Sequence, residues 1–136
     1  MPGSSPIKFL ECPICHSIVS FCIPQKILDR YEASKLQRSR GIVLYGQDRQ
    51  VTPFLINFHY FIINDRIDLV IHEENTDHMI YILIDSHYDV RDFYAVYDHD
   101  LISYYSKKLK REIKPEEVEK LIGAVYWDEL YQHAVV

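Results

Sequence analysis

The chain reads as an α+β protein: a three- to four-stranded antiparallel sheet packed by helices, with a small cysteine-bearing hairpin at its start. Three observations predict this. Between Val51 and Asp85, apolar residues recur at every second position, which is the period of a strand. Residues 24–40, 100–111 and 115–132 carry helical spacing and helix-boundary residues. Ahead of both, two short apolar runs flank Cys12-Pro13-Ile14-Cys15.

The meander at 51–85 predicts its own register. Phe54, Ile56, Phe58, Tyr60 and Ile62 fall on one side of a strand, and Asn64-Asp65 supplies two residues that tolerate positive φ in a tight turn. Ile67, Leu69 and Ile71 follow in step, then a four-residue turn at Glu74-Asn75-Thr76-Asp77, then Ile80, Ile82 and Ile84. A two-residue first turn pairs Ile62 with Ile67, Tyr60 with Leu69 and Phe58 with Ile71. A four-residue second turn pairs Ile71 with Ile80, Leu69 with Ile82 and Ile67 with Ile84. Both place the apolar set on one face, and a one-residue slip in either hairpin would break the agreement. The opposite face carries Asn57, His59, Phe61, Asp68, Val70, His72, Tyr81, Leu83 and Asp85. It reads as a half-solvated sheet face partly covered by a loop; the sharper reading makes His59, His72 and Asp68 a polar site.

Length and composition set bounds. At 136 residues with 48% hydrophobic and 26% charged residues, one folded domain over 7–136 is expected, behind a flexible lead at 1–6. No apolar run reaches the length a membrane helix needs, and the first residues have neither the basic nor the apolar region of a secretory signal. Three cysteines give no even disulfide framework, which favours a reducing, cytoplasmic setting. A net charge of −5 argues against a protein built mainly to grip DNA. Residues 1–50 nevertheless hold seven Lys/Arg against four Asp/Glu, so a basic N-terminal end could meet nucleic acid. Eleven Tyr, abundant Ile and only four Gly resemble the composition of small uncharacterised proteins of hyperthermophilic archaea and their viruses.

Residues 7–23 form the hairpin sub-lobe: Ile7 to Leu10 and Ser17 to Phe21 as short strands around Cys12 and Cys15, then Cys22. Cys-Pro-x-Cys between two short strands resembles the zinc knuckle of rubredoxin-like, zinc-ribbon and treble-clef proteins. The resemblance implies a structural Zn²⁺ on Cys12, Cys15 and Cys22, because two thiolates spaced by two residues can bind one tetrahedral ion while the turn aims N–H groups at the sulfurs. Knuckles often place glycine after the second cysteine because that residue has positive φ; here it is His16. A fourth ligand is missing locally. The candidates are His16 itself, His59, His72 or His87 arriving through the fold, or a second chain. Cys12-Pro13-Ile14-Cys15 also resembles a glutaredoxin active site, which implies thiol redox chemistry. The helix–strand–helix that such a fold requires does not fit before Thr52-Pro53.

The helices follow from their punctuation. Pro24 suits a first helical position, Ile27, Leu28, Tyr31 and Leu36 form a stripe, and Gly41 is a stop. Ile42 to Tyr45 reads as a short strand and Gly46-Gln47-Asp48 as a turn. Residues 93–97 suit a fourth strand by their Phe, Tyr and Val content, and apolar residues at 90, 93, 94, 97 and 101 would also suit one long helix; on the strand reading Asp98 or Asp100 caps the helix through Arg111. Pro115 opens the last helix, and Tyr126, Trp127, Leu130 and Tyr131 widen its apolar surface into a candidate protein-partner or homodimer contact.

Three functions follow. A small zinc-binding adaptor, binding protein or nucleic acid, accords with the knuckle and the aromatic last helix. A helix followed by this meander also resembles the αβββ core of PD-(D/E)xK nucleases; that resemblance implies divalent-metal catalysis with Asp68 and Asp85 as the acids, and it puts His87 where the family has lysine. The third is the thiol redox protein. The first reading predicts no turnover, so the chain is read as more a binding protein than an enzyme.

Overall fold

In the computed structural model the residues described are 7–36, 43–51, 55–63, 66–73 and 76–121. They form an α+β fold. Strands β1 (Lys8–Glu11) and β2 (Ile18–Phe21) make a two-stranded antiparallel sheet, and helix α1 (Gln25–Leu36) follows. Then come β3 (Val43–Val51), β4 (Leu55–Ile63), β5 (Arg66–Glu73), β6 (His78–Ile84) and β7 (Val90–Tyr97), in a five-stranded antiparallel meander of spatial order β3-β4-β5-β6-β7. Helix α2 (Asp98–Leu109), a 3₁₀ turn at Pro115–Glu117 and helix α3 (Val118–Leu121) complete the described chain.

The register of the central strands is the one the alternation predicts. Ile62 pairs with Ile67, Tyr60 with Leu69 and Phe58 with Ile71 across β4 and β5. Ile71 pairs with Ile80, Leu69 with Ile82 and Ile67 with Ile84 across β5 and β6. All nine side chains join one core, together with Leu10, Cys12, Val19 and Phe21 from the hairpin and Ile27, Leu28 and Tyr31 from α1. The hairpin therefore lies on the same side of the sheet as α1, and its inner residues share that apolar core.

The opposite face corrects the expectation of partial solvation. Phe61, Val70, Met79, Tyr81, Tyr94 and Val96 form a second core with Leu101 and Tyr105 of α2, Ile113 and Val118. A sheet buried on both sides needs apolar residues at successive positions, and β6 has them: only Leu83 is left half-buried from His78 to Ile84. His59 and Asp68, on this face, are both buried.

The sheet is also larger than the sequence suggested, because β3 runs straight through Gly46-Gln47-Asp48 where a turn was expected. Gly46 pairs with Tyr60 across the β3–β4 ladder, and a Cβ at Gly46 would land on the Tyr60 ring. The glycine here is room for an aromatic ring rather than a bend. Of the strand and helix alternatives for residues 93–97, the strand is the one found, within a longer β7.

Helix boundaries shift by small, explicable amounts. Pro24 precedes α1, and its carbonyl accepts from Ile27 N (3.0 Å) and Leu28 N (3.2 Å). Residues 37–40, which the sequence assigns to this helix, lie outside the described residues, as do 122–132 of the last helix and with them Tyr126, Trp127, Leu130 and Tyr131. Helix α2 begins at Asp98, ahead of the expected 100, because β7 feeds it directly: Asp98 N donates to Asp77 O at 2.8 Å, the next bond after the His78–Tyr97 pair. Its N-cap is Tyr97, without a side-chain cap, and Asp98 and Asp100 sit in the first turn, where they complement the helix dipole. It ends at Leu109, with Lys110 left-handed at φ 55°, so Arg111 leaves the helix and donates from Nη1 to Glu117 Oε2 at 2.9 Å. That ion pair is the main reason the Glu117 carboxyl lies below its ordinary value.

Candidate metal centre

The turn between β1 and β2 is a tight loop that carries Cys12 and Cys15. Cys12 N donates to Ser17 O and His16 N to Cys12 O, both at 2.9 Å, which closes residues 12–17 tightly. His16 takes φ 62°, the left-handed conformation for which such loops ordinarily use glycine. The loop turns main-chain N–H groups of Cys15 and Ile14 toward Cys12 Sγ, and that of Ser17 toward Cys15 Sγ. N–H groups aimed this way stabilise negative charge on sulfur.

The two thiols differ in surroundings. Cys12 is fully buried, and that burial pushes its thiol above the ordinary value despite the opposing N–H groups. Cys15 is exposed, and the Ser17 hydroxyl 3.3 Å from its sulfur is the main reason its thiol is drawn down to about 7.

The third donor comes from far along the chain. His78, the first residue of β6, is buried and brings Nε2 to 3.2 Å from Cys12 Sγ. Its other nitrogen lies 2.8 Å from Asp77 Oδ1. A carboxylate only accepts, so Nδ1 carries a proton toward it, and in a neutral ring Nε2 then faces the sulfurs with its lone pair. The same contact is the first cause of the lowered Asp77 carboxyl. Asp77 O is itself held by Asp98 N, and Thr76 Oγ1 donates to His78 O at 3.1 Å, so the segment carrying the imidazole is fixed from both sides. Cys12 Sγ, Cys15 Sγ and His78 Nε2 thus all lie within 4.8 Å of one another. They line a small cleft whose remaining walls are Val19, Ile71, Thr76 and Ile80.

This arrangement can hold a metal ion. Bond lengths of about 2.3 Å to sulfur and about 2.05 Å to nitrogen at tetrahedral angles separate two sulfurs by about 3.8 Å and sulfur from nitrogen by about 3.6 Å. The observed 3.2 Å between Cys12 Sγ and His78 Nε2 differs by a few tenths of an ångström, a change within reach of small side-chain rotations.

The donor group that the fold gathers is not the set read in the sequence. Cys12 and Cys15 are in it. Cys22 and His16 are outside this donor group. Cys22 is half-buried past the end of β2, and the exposed His16 ring lies toward Glu11 at 3.9 Å. Among the other histidines considered, His59 sits on the opposite sheet face with Nδ1 2.8 Å from Tyr45 Oη, and His72 and His87 also lie outside the group. His78 was missed, although its phase with Ile80, Ile82 and Ile84 puts it on the hairpin side of the sheet.

The acids of the nuclease-like reading are occupied otherwise. Asp68 is buried against the Arg66 guanidinium, with Nε at 3.1 Å from Oδ1 and Nη2 at 3.2 Å from Oδ2. Asp85 accepts from His87 N at 2.9 Å and Asp89 N at 3.1 Å, shaping the β6–β7 loop, and these N–H groups pull its carboxyl down. Among the described residues, Asp68, Asp85 and His87 form no donor group tight enough for a metal. Two of the basic side chains of α1 are engaged at home: Arg30 Nη1 donates to Tyr60 Oη at 2.8 Å, and Lys35 Nζ lies 4.5 Å from the Tyr31 ring. Arg38 and Arg40 lie outside the described residues.

No protein-family model, curated protein or solved structure matches the chain. Among the described residues no helix is long and apolar enough to cross a membrane.

Asp77 gives a direct check on the centre. Asp77→Asn keeps the shape but weakens the acceptor that orients the imidazole. It should loosen metal binding roughly 10- to 100-fold, as measured by competition with a chromophoric chelator, and leave the metal-free fold unchanged.

Proposed function

We propose that the chain is a zinc-stapled interaction module. Cys12, Cys15 and His78 would hold Zn²⁺, joining the β1–β2 turn to the start of β6, and the outer face of the hairpin would receive a protein partner. The observation that carries this reading is the convergence of two knuckle thiols on a buried imidazole already oriented by Asp77. Thiolate and imidazole together suit zinc better than magnesium or calcium, which prefer oxygen. A two-stranded hairpin is marginal alone, and a metal bond to the larger sheet offsets its small apolar contact.

The binding half of the proposal is supported by the surface that the hairpin leaves uncovered. Ile7, Phe9 and Ile18 are each about two-thirds exposed, at 65%, 68% and 64%. Phe9 and Ile18 alternate with the buried Leu10 and Val19, so one side of the hairpin is core and the other a small apolar surface. Apolar residues gathered on one side of a hairpin are what a docking surface requires.

Elemental analysis of the untreated, purified chain tests the metal. About one zinc per chain, lost in His78→Ala as well as in Cys12→Ser, is expected. Loss in Cys12→Ser but retention in His78→Ala would overturn the ligand set. A second reading, a redox dithiol, is favoured by the Cys15 thiol at about 7 beside a buried second cysteine. It requires a metal-free protein with a reversible Cys12–Cys15 disulfide, and mass spectrometry after thiol alkylation separates the two.

A further inference from the structure

We infer that the fourth corner of this metal centre is an open position, filled by solvent and exchangeable for a small anion from outside the chain. The inference rests on the zinc reading above and adds what that site would bind.

Zinc on thiolate and imidazole is tetrahedral, and a purely structural site closes all four corners with protein ligands. Among the described residues this chain brings three donors to the cleft and no more. The other walls are Val19, Ile71, Ile80 and Thr76, and none of these is a usual zinc ligand. Of the fourth ligands that the sequence offered, His16 turns toward Glu11 and His59 to Tyr45 on the far face of the sheet, while His72 and His87 lie outside the donor group. The cleft is also asymmetric. Cys12 and His78 are buried at its floor, while Cys15 is exposed at its rim. An ion bound to all three would therefore have a protein side and a solvent side, and its vacant corner would open beside Cys15.

Two thiolates and a neutral imidazole balance the charge of a divalent ion. Such a corner would exchange ligands readily rather than hold an anion tightly. Asp77 lies behind the imidazole and does not compete for the metal, since its carboxylate is taken by Nδ1.

The test uses the full chain loaded with Co²⁺ in place of zinc, titrated with azide. Thiolate-to-cobalt charge-transfer bands in the near ultraviolet report whether the cysteines bind the ion, and the visible d–d bands report the fourth ligand. The expected result is charge transfer at one Co²⁺ per chain, with d–d bands that shift along a saturable one-site curve as azide is added. Charge transfer with d–d bands unmoved by a large excess of azide would mean that the chain closes its own site, and it would overturn the open position while leaving the zinc reading intact. Saturation at half a Co²⁺ per chain would mean that a second copy fills the corner, which overturns it equally. Absence of the charge-transfer bands would remove the zinc reading and the open position together.

Discussion

Cys12→Ser should lose nearly all bound zinc and should melt about 10 to 15 °C below the parent chain when zinc is present, while the two should melt within a few degrees of each other after chelation. The chemistry behind the first half is simple. A serine hydroxyl stays protonated at neutral pH and is a poor ligand, so the tetrahedral site loses one of its three protein donors. The second half follows from linkage. A ligand that binds only the folded chain stabilises it by RT ln(1 + [L]/Kd), which is about 4 kcal/mol at a thousandfold excess over Kd. For a chain of this size each kcal/mol moves the melting temperature by roughly 3 to 4 °C. Serine is nearly isosteric with cysteine, so in the absence of metal the buried position loses little packing. The gap should therefore appear only when metal is there to bind. Hydrogen exchange locates the effect: chelation should expose the amides of β1 and β2 well before those of β5 and β6, because on this proposal a metal would tie the hairpin down while the large sheet keeps both of its cores. A parent chain whose melting temperature is indifferent to chelator would remove the staple.

Much of this architecture was legible in the sequence, and the reason is geometric. A strand repeats every two residues, so the phase of Phe58, Tyr60 and Ile62 against Ile67, Leu69 and Ile71 leaves one register that keeps both sets on the same face. Turn length fixed the second hairpin in the same way. The loop around Cys12 and Cys15 was legible because two cysteines spaced by two residues are brought close by a tight turn alone. The left-handed residue after the second cysteine is indeed at φ 62°, carried here by His16.

What was hidden depended on contacts between distant segments. The polar-looking face of the sheet resembled a solvated one because His59, His72 and Asp68 interrupt it; α2 covers it nonetheless, and buried Asp68 is met by the guanidinium of the part-exposed Arg66. His78 was the decisive omission. The fourth-ligand candidates among the later histidines, His59, His72 and His87, lie on the mixed face and in the β6–β7 loop, whereas the hairpin lies against the apolar face. A histidine in phase with Ile80, Ile82 and Ile84 breaks an otherwise apolar stripe, and a polar residue on a core face requires a partner. Cys12 is that partner, at a separation of 66 residues that no local pattern encodes.

Gly46→Ala should destabilise the fold by about 3 kcal/mol, even though alanine is normally the better strand residue. Gly46 stands opposite Tyr60 in the β3–β4 ladder, and the ring of Tyr60 covers the space where a Cβ would stand, so that Cζ and Oη would collide with it. The ring has little freedom to retreat. Tyr60 is 1% exposed, belongs to the core that includes α1 and the hairpin, and takes a hydrogen bond from Arg30 Nη1 at 2.8 Å, with the guanidinium 5.6 Å from the ring centroid. Displacing it would disturb the strand register and the tie to α1 together. A double-mutant cycle isolates the cause. Tyr60→Leu lowers stability by itself, because it empties part of the core and deprives Arg30 of its acceptor. In that background, though, Gly46→Ala should be neutral or slightly stabilising, since nothing then occupies the glycine's face and the gain in strand preference remains. The coupling between the two positions should be about 2 to 3 kcal/mol in urea melts, at the upper end of what touching residues show. Equal costs of Gly46→Ala in both backgrounds would mean that the ring does not lie on the glycine. The β3 strand would then owe its passage through Gly46-Gln47-Asp48 to something other than this contact.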